Sequence, residues 1–122
     1  MVEKRYGWEV RLINFPVAMI KITEKFPRFF SGNHQTNQLA RSRTAPALNY
    51  GEAQSAGSRN DFIHKMKISF KELRETNICL KIVDRLRWLE PETLMIDIKE
   101  CNELIAIFVK SINTAEKKQA NK

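Results

Sequence analysis

The sequence predicts an all-α protein, an antiparallel up-down-up-down four-helix bundle formed by a single domain of residues 1–122. Apolar residues recur at spacings of three and four, as in amphipathic helices, and no segment shows the alternation of a half-buried strand. With 43% apolar and 29% charged residues, the composition is that of an ordinary globular domain. Glycines and prolines divide the chain into helices expected at about 5–26, 36–55, 59–87 and 91–114, followed by a frayed tail at 115–122.

The first predicted helix carries two apolar seams. They consist of Tyr6, Val10, Ile13, Val17 and Ile20, and of Trp8, Leu12, Phe15, Met19, Ile22 and Phe26. The seams are offset by two residues, so at about 100° per residue they lie on nearly opposite sides of the helix. A surface helix of a monomer needs only one apolar stripe. We therefore expect a homo-oligomer in which one seam faces a second subunit; the alternative is an unusually enclosed helix in a monomer.

Pro16 interrupts this helical pattern. Inside a helix, proline removes one hydrogen bond and clashes with the carbonyl four residues earlier, here that of Leu12, at a cost of about 3 kcal/mol. Either the helix kinks at Pro16, or the residues before it form a separate short segment. Because both seams keep their register across Pro16, we predict a kinked helix.

The second predicted helix contains RSRTAPALNYGEAQ, residues 41–54, which is rich in small side chains. It has neither of the phosphate-binding glycine patterns, GxxxxGK[ST] and GxGxxG. Asn49 and Glu52 are predicted to form an inter-helix polar cluster with Arg74, whose guanidinium would satisfy the Glu52 carboxylate. The alternative is that this cluster is a ligand site. Close approach of a neighbouring helix is predicted along a side of small residues, namely Ala40, Thr44, Ala47 or Leu48, and Gly51.

The third and fourth helices are expected to form an antiparallel hairpin. Ser58 or Asn60 can cap the third helix, and the connection at 87–90 is short. Counting from that turn places Cys79 and Cys101 at similar heights, as small reduced core residues. The two apolar stripes are Phe62, Met66, Phe70, Leu73, Leu80 and Val83, and Leu94, Ile98, Cys101, Ile105, Phe108 and Ile112.

Residues 37–76 combine three short patterns that are specific when they occur together. The patterns are Asn49-x-x-Glu52-Ala53, Asp61-Phe62-Ile63-His64-Lys65, and Glu72-Leu73-Arg74-Glu75-Thr76. With them the chain resembles the bacterial four helix bundle proteins encoded by intervening sequences of large-subunit (23S) ribosomal RNA genes. The similarity extends to residues 79–82 and 98–108. This family is similar in fold to the accessory variability determinant of diversity-generating retroelements.

The resemblance implies an antiparallel four-helix bundle, a ring-shaped pentamer, a link to nucleic acid and no enzymatic activity. The chain departs from the family pattern at two places. Arg43 and Ala45 stand where the family often has Gly and Ser, and Pro16 interrupts a first helix that is usually continuous. The first departure can alter local packing or add charge, and the second bears on how subunits pack.

The charge balance favours a polyanionic partner, RNA or DNA. The chain has 21 Lys plus Arg against 14 Asp plus Glu, a net charge of +7. The candidate contacts are Arg41, Arg43, Lys67, Lys71 and Arg74, the last three at helical spacing. Aromatic residues for base stacking are largely missing from this side, so binding would be phosphate-led and weakly sequence-specific. The alternative is a solvated face with the helix-supporting pairs Asp61–Lys65 and Lys71–Glu75.

No metal, cofactor or catalytic group is expected. Asp61 and His64 have the carboxylate-x-x-His spacing of di-iron bundles, but such sites need two of these motifs. No cysteine or serine can be paired with a histidine and an orienting acid. The longest apolar run, residues 104–109, is too short to span a bilayer, and the N-terminal residues lack a continuous apolar segment. We therefore expect a cytoplasmic protein without a membrane partner.

Together these features predict a non-enzymatic oligomeric scaffold or accessory protein with weakly specific RNA binding. The alternative is a protein-binding adaptor for an RNA-processing enzyme or a reverse transcriptase, without direct nucleic-acid contact.

Overall fold

The computed structural model describes residues 2–28 and 45–120, and within these ranges the regular structure is helical with no strand. The helices are α1 (Val2–Thr23), α2 (Ala45–Gln54), α3 (Arg59–Leu86) and α4 (Pro91–Ala120). Helices α1 and α3 each pack against both α2 and α4. The all-α four-helix bundle is confirmed, and this neighbour pattern is consistent with up-down-up-down connectivity.

Helix α1 turns one of its two seams inward. Its buried side chains are Leu12, Phe15, Met19 and Ile22, with Phe26 just beyond the helix. The opposite seam remains 38–61% exposed in the single chain; we call its described members, Val10, Ile13, Val17 and Ile20, the α1 stripe. The side chains of Tyr6 and Trp8 lie outside the described residues. Because α1 is continuous through Pro16, a separate short segment before the proline is excluded.

The side of α2 that faces the bundle differs from the predicted side of small residues. Its inward side chains are Tyr50 and Ala53, whereas Leu48 is 69% exposed and a methyl group at Gly51 would meet no neighbouring atom within 4 Å. Of the predicted side, Ala47 packs against the core, whereas the close approach predicted at Leu48 and Gly51 is wrong. Burying the large Tyr50 ring, which packs edge-on against Phe108 at 6.1 Å between centroids, decides the rotation of the helix. Residues 36–44, including Ala40 and Thr44, lie outside the described residues.

Helices α3 and α4 form the predicted hairpin. Ser58 caps α3 by accepting a hydrogen bond from the Asp61 backbone N–H at 3.1 Å. Arg87 ends the helix in the left-handed conformation, and its N–H donates to the Asp84 carbonyl at 3.1 Å. In the turn, Trp88 packs edge-on against Phe26 at 5.4 Å, which ties the turn to the end of α1.

The predicted frayed tail after residue 114 is wrong up to Ala120. Helix α4 continues to that residue, and Gln119 donates a hydrogen bond to the Asn60 side chain at the start of α3. Glu116 also lies 3.6 Å from Lys67. The 28-residue α3 therefore offers α4 a packing partner far beyond the last residue of the predicted apolar stripe.

Buried polar groups link α3 to α4. Asn77, which is buried, donates to the Asn102 side-chain carbonyl at 2.9 Å. The Cys101 thiol donates to the Leu73 carbonyl at 3.3 Å, and the Thr76 hydroxyl donates to the Glu72 carbonyl at 3.0 Å within α3. Buried polar groups are costly unless hydrogen-bonded, so the Asn77–Asn102 pair favours one register between the two helices.

Both cysteines are buried reduced thiols, as predicted. Burial raises the pKa of Cys79 from 9.0 to about 11. Burial also raises the pKa of Cys101 to about 12, although a hydrogen bond with Asn77 and the charge of Lys81 act in the opposite direction. At neutral pH the two thiols are protonated packing residues.

Replacing a core leucine should destabilise the protein far more than replacing an exposed one. Leu73 is fully buried, so Leu73→Ala should lower the free energy of unfolding by about 2–5 kcal/mol, through reduced apolar burial and the cavity left behind. The matched Leu48→Ala change should cost about 0.5 kcal/mol or less. Urea denaturation at one fixed protein concentration measures both, and equal costs would contradict this core assignment.

The two thiols should be unreactive in the folded protein, and their ionisation should lower the free energy of unfolding in strong alkali. At pH 8 a thiol reagent should label Cys79 and Cys101 only after unfolding in urea. Burial raises both pKa values above the ordinary 9.0. As pH rises, the unfolded state therefore loses these protons first. The contribution of the two protonated thiols to the free energy of unfolding is complete below pH 9 and is lost towards pH 11–12. Cys101→Ala should reduce that loss; rapid labelling of the native protein at pH 8 would contradict the burial.

Candidate functional site

The outer face of α3 carries the candidate cations that the structure describes. We call Lys67, Lys71 and Arg74 the basic row; all three are exposed, and their spacing of four and three residues aligns them along one side of the helix. Arg41 and Arg43, the other two candidates, lie outside the described residues. The structure therefore leaves three candidates whose arrangement can be analysed, and all belong to one rigid helix.

The basic row makes one ion pair and one aromatic contact among the described residues. Lys67 Nζ lies 3.6 Å from a Glu116 oxygen, in a pair whose side chains are both about half exposed, so its attraction is screened by water. The Arg74 guanidinium lies over the Phe70 ring, 5.7 Å from the centroid, and keeps its charge while covering apolar surface. None of the ion pairs among the described residues involves Lys71, so the predicted pair with Glu75 is not formed.

The predicted ion pair within the Asn49, Glu52 and Arg74 cluster is not formed. The Glu52 carboxylate instead pairs with Lys65 Nζ at 2.8 Å, which also removes Lys65 from its predicted pairing with Asp61. Arg74 lies nine residues beyond Lys65, about 13.5 Å further along α3, and cannot reach Glu52 in this register. The pair between α2 and α3 is exposed and joins two helices, so it does not form a ligand pocket.

Asn49, the third member, is half-buried on α2. With Glu52 held by Lys65 and Arg74 lying over Phe70, the three residues do not act as one unit. Arg74 is therefore better grouped with the basic row than with the polar cluster, although both interpretations followed from the sequence.

An ion-pair network that the sequence analysis missed fixes α1 against α4. Arg11 donates to the two Glu100 carboxylate oxygens from Nε at 2.9 Å and from Nη2 at 2.5 Å, and it lies 3.6 Å from Glu103. The hydrogen bonds to Glu100 raise the pKa of Arg11. The sequence does show two acidic residues, Glu100 and Glu103, three apart on one side of α4. That Arg11 is their partner depends on how α1 is rotated against α4, which the sequence does not give.

This network sets which side of α1 faces outward. Ile13 lies two residues after Arg11, about 160° away around the helix, so holding Arg11 against α4 points Ile13 away from it. Nearby, burial raises the pKa of Asp97, an effect that Lys25 opposes and Glu100 reinforces. The acidic side of α4 that faces α1 is thus engaged inside the bundle, and the α1 stripe remains exposed.

The described residues show no side-chain cluster typical of metal binding. They contain no group of three or more His, Cys, Asp and Glu side chains that could hold a metal ion. Asp61 and His64 are both exposed at the start of α3. An open groove of about 430 Å³ lies at the α3–α4 turn beside Lys25, Arg87 and Trp88. Within the described ranges, no helix combines the length and the apolar content needed to cross a bilayer.

Comparison with known proteins confirms the family suggested by residues 37–76. The model of the 23S rRNA-intervening sequence protein family matches residues 10–110. A solved structure from Bacteroides thetaiotaomicron, a protein with unknown function from the S23 ribosomal protein family, is 25% identical, with a TM-score of 0.78. The alignment covers 86% of this chain and 97% of that chain. No curated protein matches. Because the family model spans most of its length, the chain belongs to the 23S rRNA-intervening sequence protein family.

Proposed function

We propose that the protein is a non-enzymatic, cytoplasmic accessory protein that self-associates into a ring and binds RNA through phosphate contacts with little sequence preference. The pentameric state is taken from the family resemblance. The observation that carries the proposal is the α1 stripe, an apolar seam that the folded chain leaves exposed. The basic row on α3 supplies the nucleic-acid part of the proposal.

The α1 stripe supports self-association because its exposure has an energetic cost that a second subunit removes. Its four side chains extend over eleven residues, about 15 Å of helix. Removing apolar surface from water stabilises an assembly by roughly 25 cal/mol for each Å² buried. A continuous exposed row is therefore typical of an interface, whereas scattered single apolar residues are ordinary.

The basic row supports polyanion binding because its charge is largely available. Lys67 is partly neutralised by Glu116, whereas Arg74 keeps its full charge over the Phe70 ring, and all three cations are exposed to solvent. Association into a ring would repeat the row once per subunit, so the contacts of several copies would add on one strand. The family name refers to a gene for ribosomal RNA, which makes RNA the first polyanion to test.

Self-association should be visible in solution and should depend on the α1 stripe. We expect wild-type protein at micromolar concentration to sediment as an oligomer, and Ile13→Glu/Val17→Glu to sediment as a folded monomer, because two charges would have to be buried in the interface. Leu48→Glu, which places a charge at an exposed apolar site on α2, should keep the assembly. A wild-type protein that remains monomeric across micromolar dilution would refute self-association.

RNA binding should depend on salt and on the basic row. Fluorescence anisotropy with a labelled mixed-sequence single-stranded RNA should show log K falling linearly with log salt. The Lys67→Glu/Lys71→Glu variant should bind more weakly, and its salt slope should be smaller by about 0.7 for each phosphate that it no longer neutralises. Lys99→Glu/Lys110→Glu on α4 makes the same change in net charge and should retain near-wild-type binding.

Two outcomes would redirect this proposal. An equal loss of affinity in both double variants would mean that total charge, and not the basic row, attracts RNA. An oligomer that binds no RNA or DNA even at low salt would favour the protein-binding adaptor instead. Circular dichroism of each variant confirms that the helices remain folded.

A further inference from the structure

The groove at the α3–α4 turn combines side chains that the basic row does not bring together. It is open, has a volume of about 430 Å³ and lies where the end of α1 meets the turn. Its lining includes one indole ring, Trp88, two cations, Lys25 and Arg87, and one carboxylate, Glu90. Pockets that hold a small molecule have volumes of about 300–1,000 Å³. The groove is therefore large enough for one small organic molecule.

The Trp88 indole supplies a flat apolar surface whose position is fixed. It packs edge-on against the buried Phe26 ring, with 5.4 Å between the centroids, and it is only half-buried, so part of it is open to the groove. Leu89 and Pro91 line the same groove and add apolar surface. An anchored aromatic ring at a protein surface is suited to stacking with a nucleobase, because every base has a π-face.

Lys25 and Arg87 bring positive charge to the groove from two different elements. Lys25 lies just beyond α1, and Arg87 ends α3 in the left-handed conformation at φ 58°, a position where glycine is the usual residue. Both are exposed, and none of the ion pairs among the described residues involves either one. Lys25 acts on the half-buried Asp97 without forming an ion pair with it. The two cations are therefore available to an anion.

We propose that this groove binds a nucleotide, with the base stacked on Trp88 and the phosphate held by Lys25 and Arg87. The guanidinium fork matches two phosphate oxygens, and the ammonium group adds a point charge. A bare phosphate would leave the indole uncovered, and an apolar ligand would leave both cations without a partner. A nucleotide uses both features, and the same chemistry is offered by a free nucleotide and by one unit of an RNA strand.

Glu90 orients the nucleotide and favours guanine. Its exposed carboxylate lines the groove, repels phosphate and, when ionised, only accepts hydrogen bonds. The phosphate is therefore placed on the side of Lys25 and Arg87, and the base presents a donor edge to Glu90. Guanine carries a ring N–H and an amino group next to each other, which can donate to the two oxygens of one carboxylate. Uracil has a single ring N–H and makes the weaker match.

This site goes beyond the proposed function, in which the basic row contacts phosphates with little sequence preference. Arg87 lies 13 residues after Arg74, the last cation of the basic row, which is about 20 Å along α3. The groove and the basic row are thus separate, and each can be altered without touching the other.

Trp88 can report on binding directly. The chain has two tryptophans, so Trp8→Phe leaves Trp88 as the only one. Titrating this variant with GMP, after circular dichroism has shown that it is folded, should quench the Trp88 emission to saturation. Guanosine, which lacks the phosphate, and ribose 5-phosphate, which lacks the base, should each bind about tenfold more weakly in calorimetric titrations. UMP should also bind more weakly than GMP.

Calorimetric titration with GMP tests the individual side chains. Lys25→Ala, Arg87→Gly and Trp88→Leu should each lower the affinity about tenfold. Arg87→Gly is the most informative change, because glycine suits the left-handed turn and only the guanidinium is lost. Lys81→Ala/Arg85→Ala removes two exposed cations near the same end of α3 but outside the groove, so this matched control should bind GMP as wild type does.

A short RNA containing one guanine distinguishes the two sources of the nucleotide. Tighter binding than that of GMP assigns the groove to one unit of a strand, and equal or weaker binding assigns it to a free nucleotide. Absence of quenching and heat at millimolar GMP would overturn the proposal, as would equal binding of GMP and ribose 5-phosphate or an affinity that Arg87→Gly leaves unchanged. Lys67→Glu/Lys71→Glu should bind GMP normally, so failure of the groove is distinguishable from failure of the proposed RNA binding.

Discussion

The structure depends on the fact that α1 is apolar on two sides but can bury only one of them in its own bundle. Arg11 holds α1 against Glu100 and Glu103 of α4, while Leu12 and Phe15 pack inward. At about 100° per residue, this rotation leaves Ile13 and its neighbours outside. Turning the helix to cover them would expose the inner seam and separate the Arg11 ion pairs. The exposed row thus follows from the fold of the single chain.

Helix α3 carries charged and apolar side chains on one outer face. Ile78 lies 11 residues after Lys67, about 20° away around the helix, so the exposed Ile78, Ile82 and Leu86 share the outer face of the basic row. The inner face packs against α2 and α4 and is fixed by the Asn77–Asn102 hydrogen bond. The first half of the outer face carries the basic row, and the second half carries exposed apolar side chains with Lys81 and Arg85 beside them.

Much of the fold could be predicted from periodicity, because helix formation and amphipathicity are local. The two seams of α1 and the Ser58 cap are of this kind. The features missed depend on the register between helices, which spacing along one helix does not give. Glu52 pairs with Lys65 instead of Arg74 for this reason, and the continuation of α4 to Ala120 rests on contacts with distant residues of α3. In α2, a single large ring, Tyr50, outweighed a pattern of small residues.

Assembly and RNA binding are physically linked in the proposed function. One subunit offers three cations in its basic row, and each phosphate contact on a single strand contributes a salt slope of only about 0.7. A monomer would therefore hold RNA weakly at physiological salt. Several copies around a ring would engage one strand at a high effective concentration. In the proposed function the affinity for RNA is then a property of the assembly, which depends on the α1 stripe that holds the copies together.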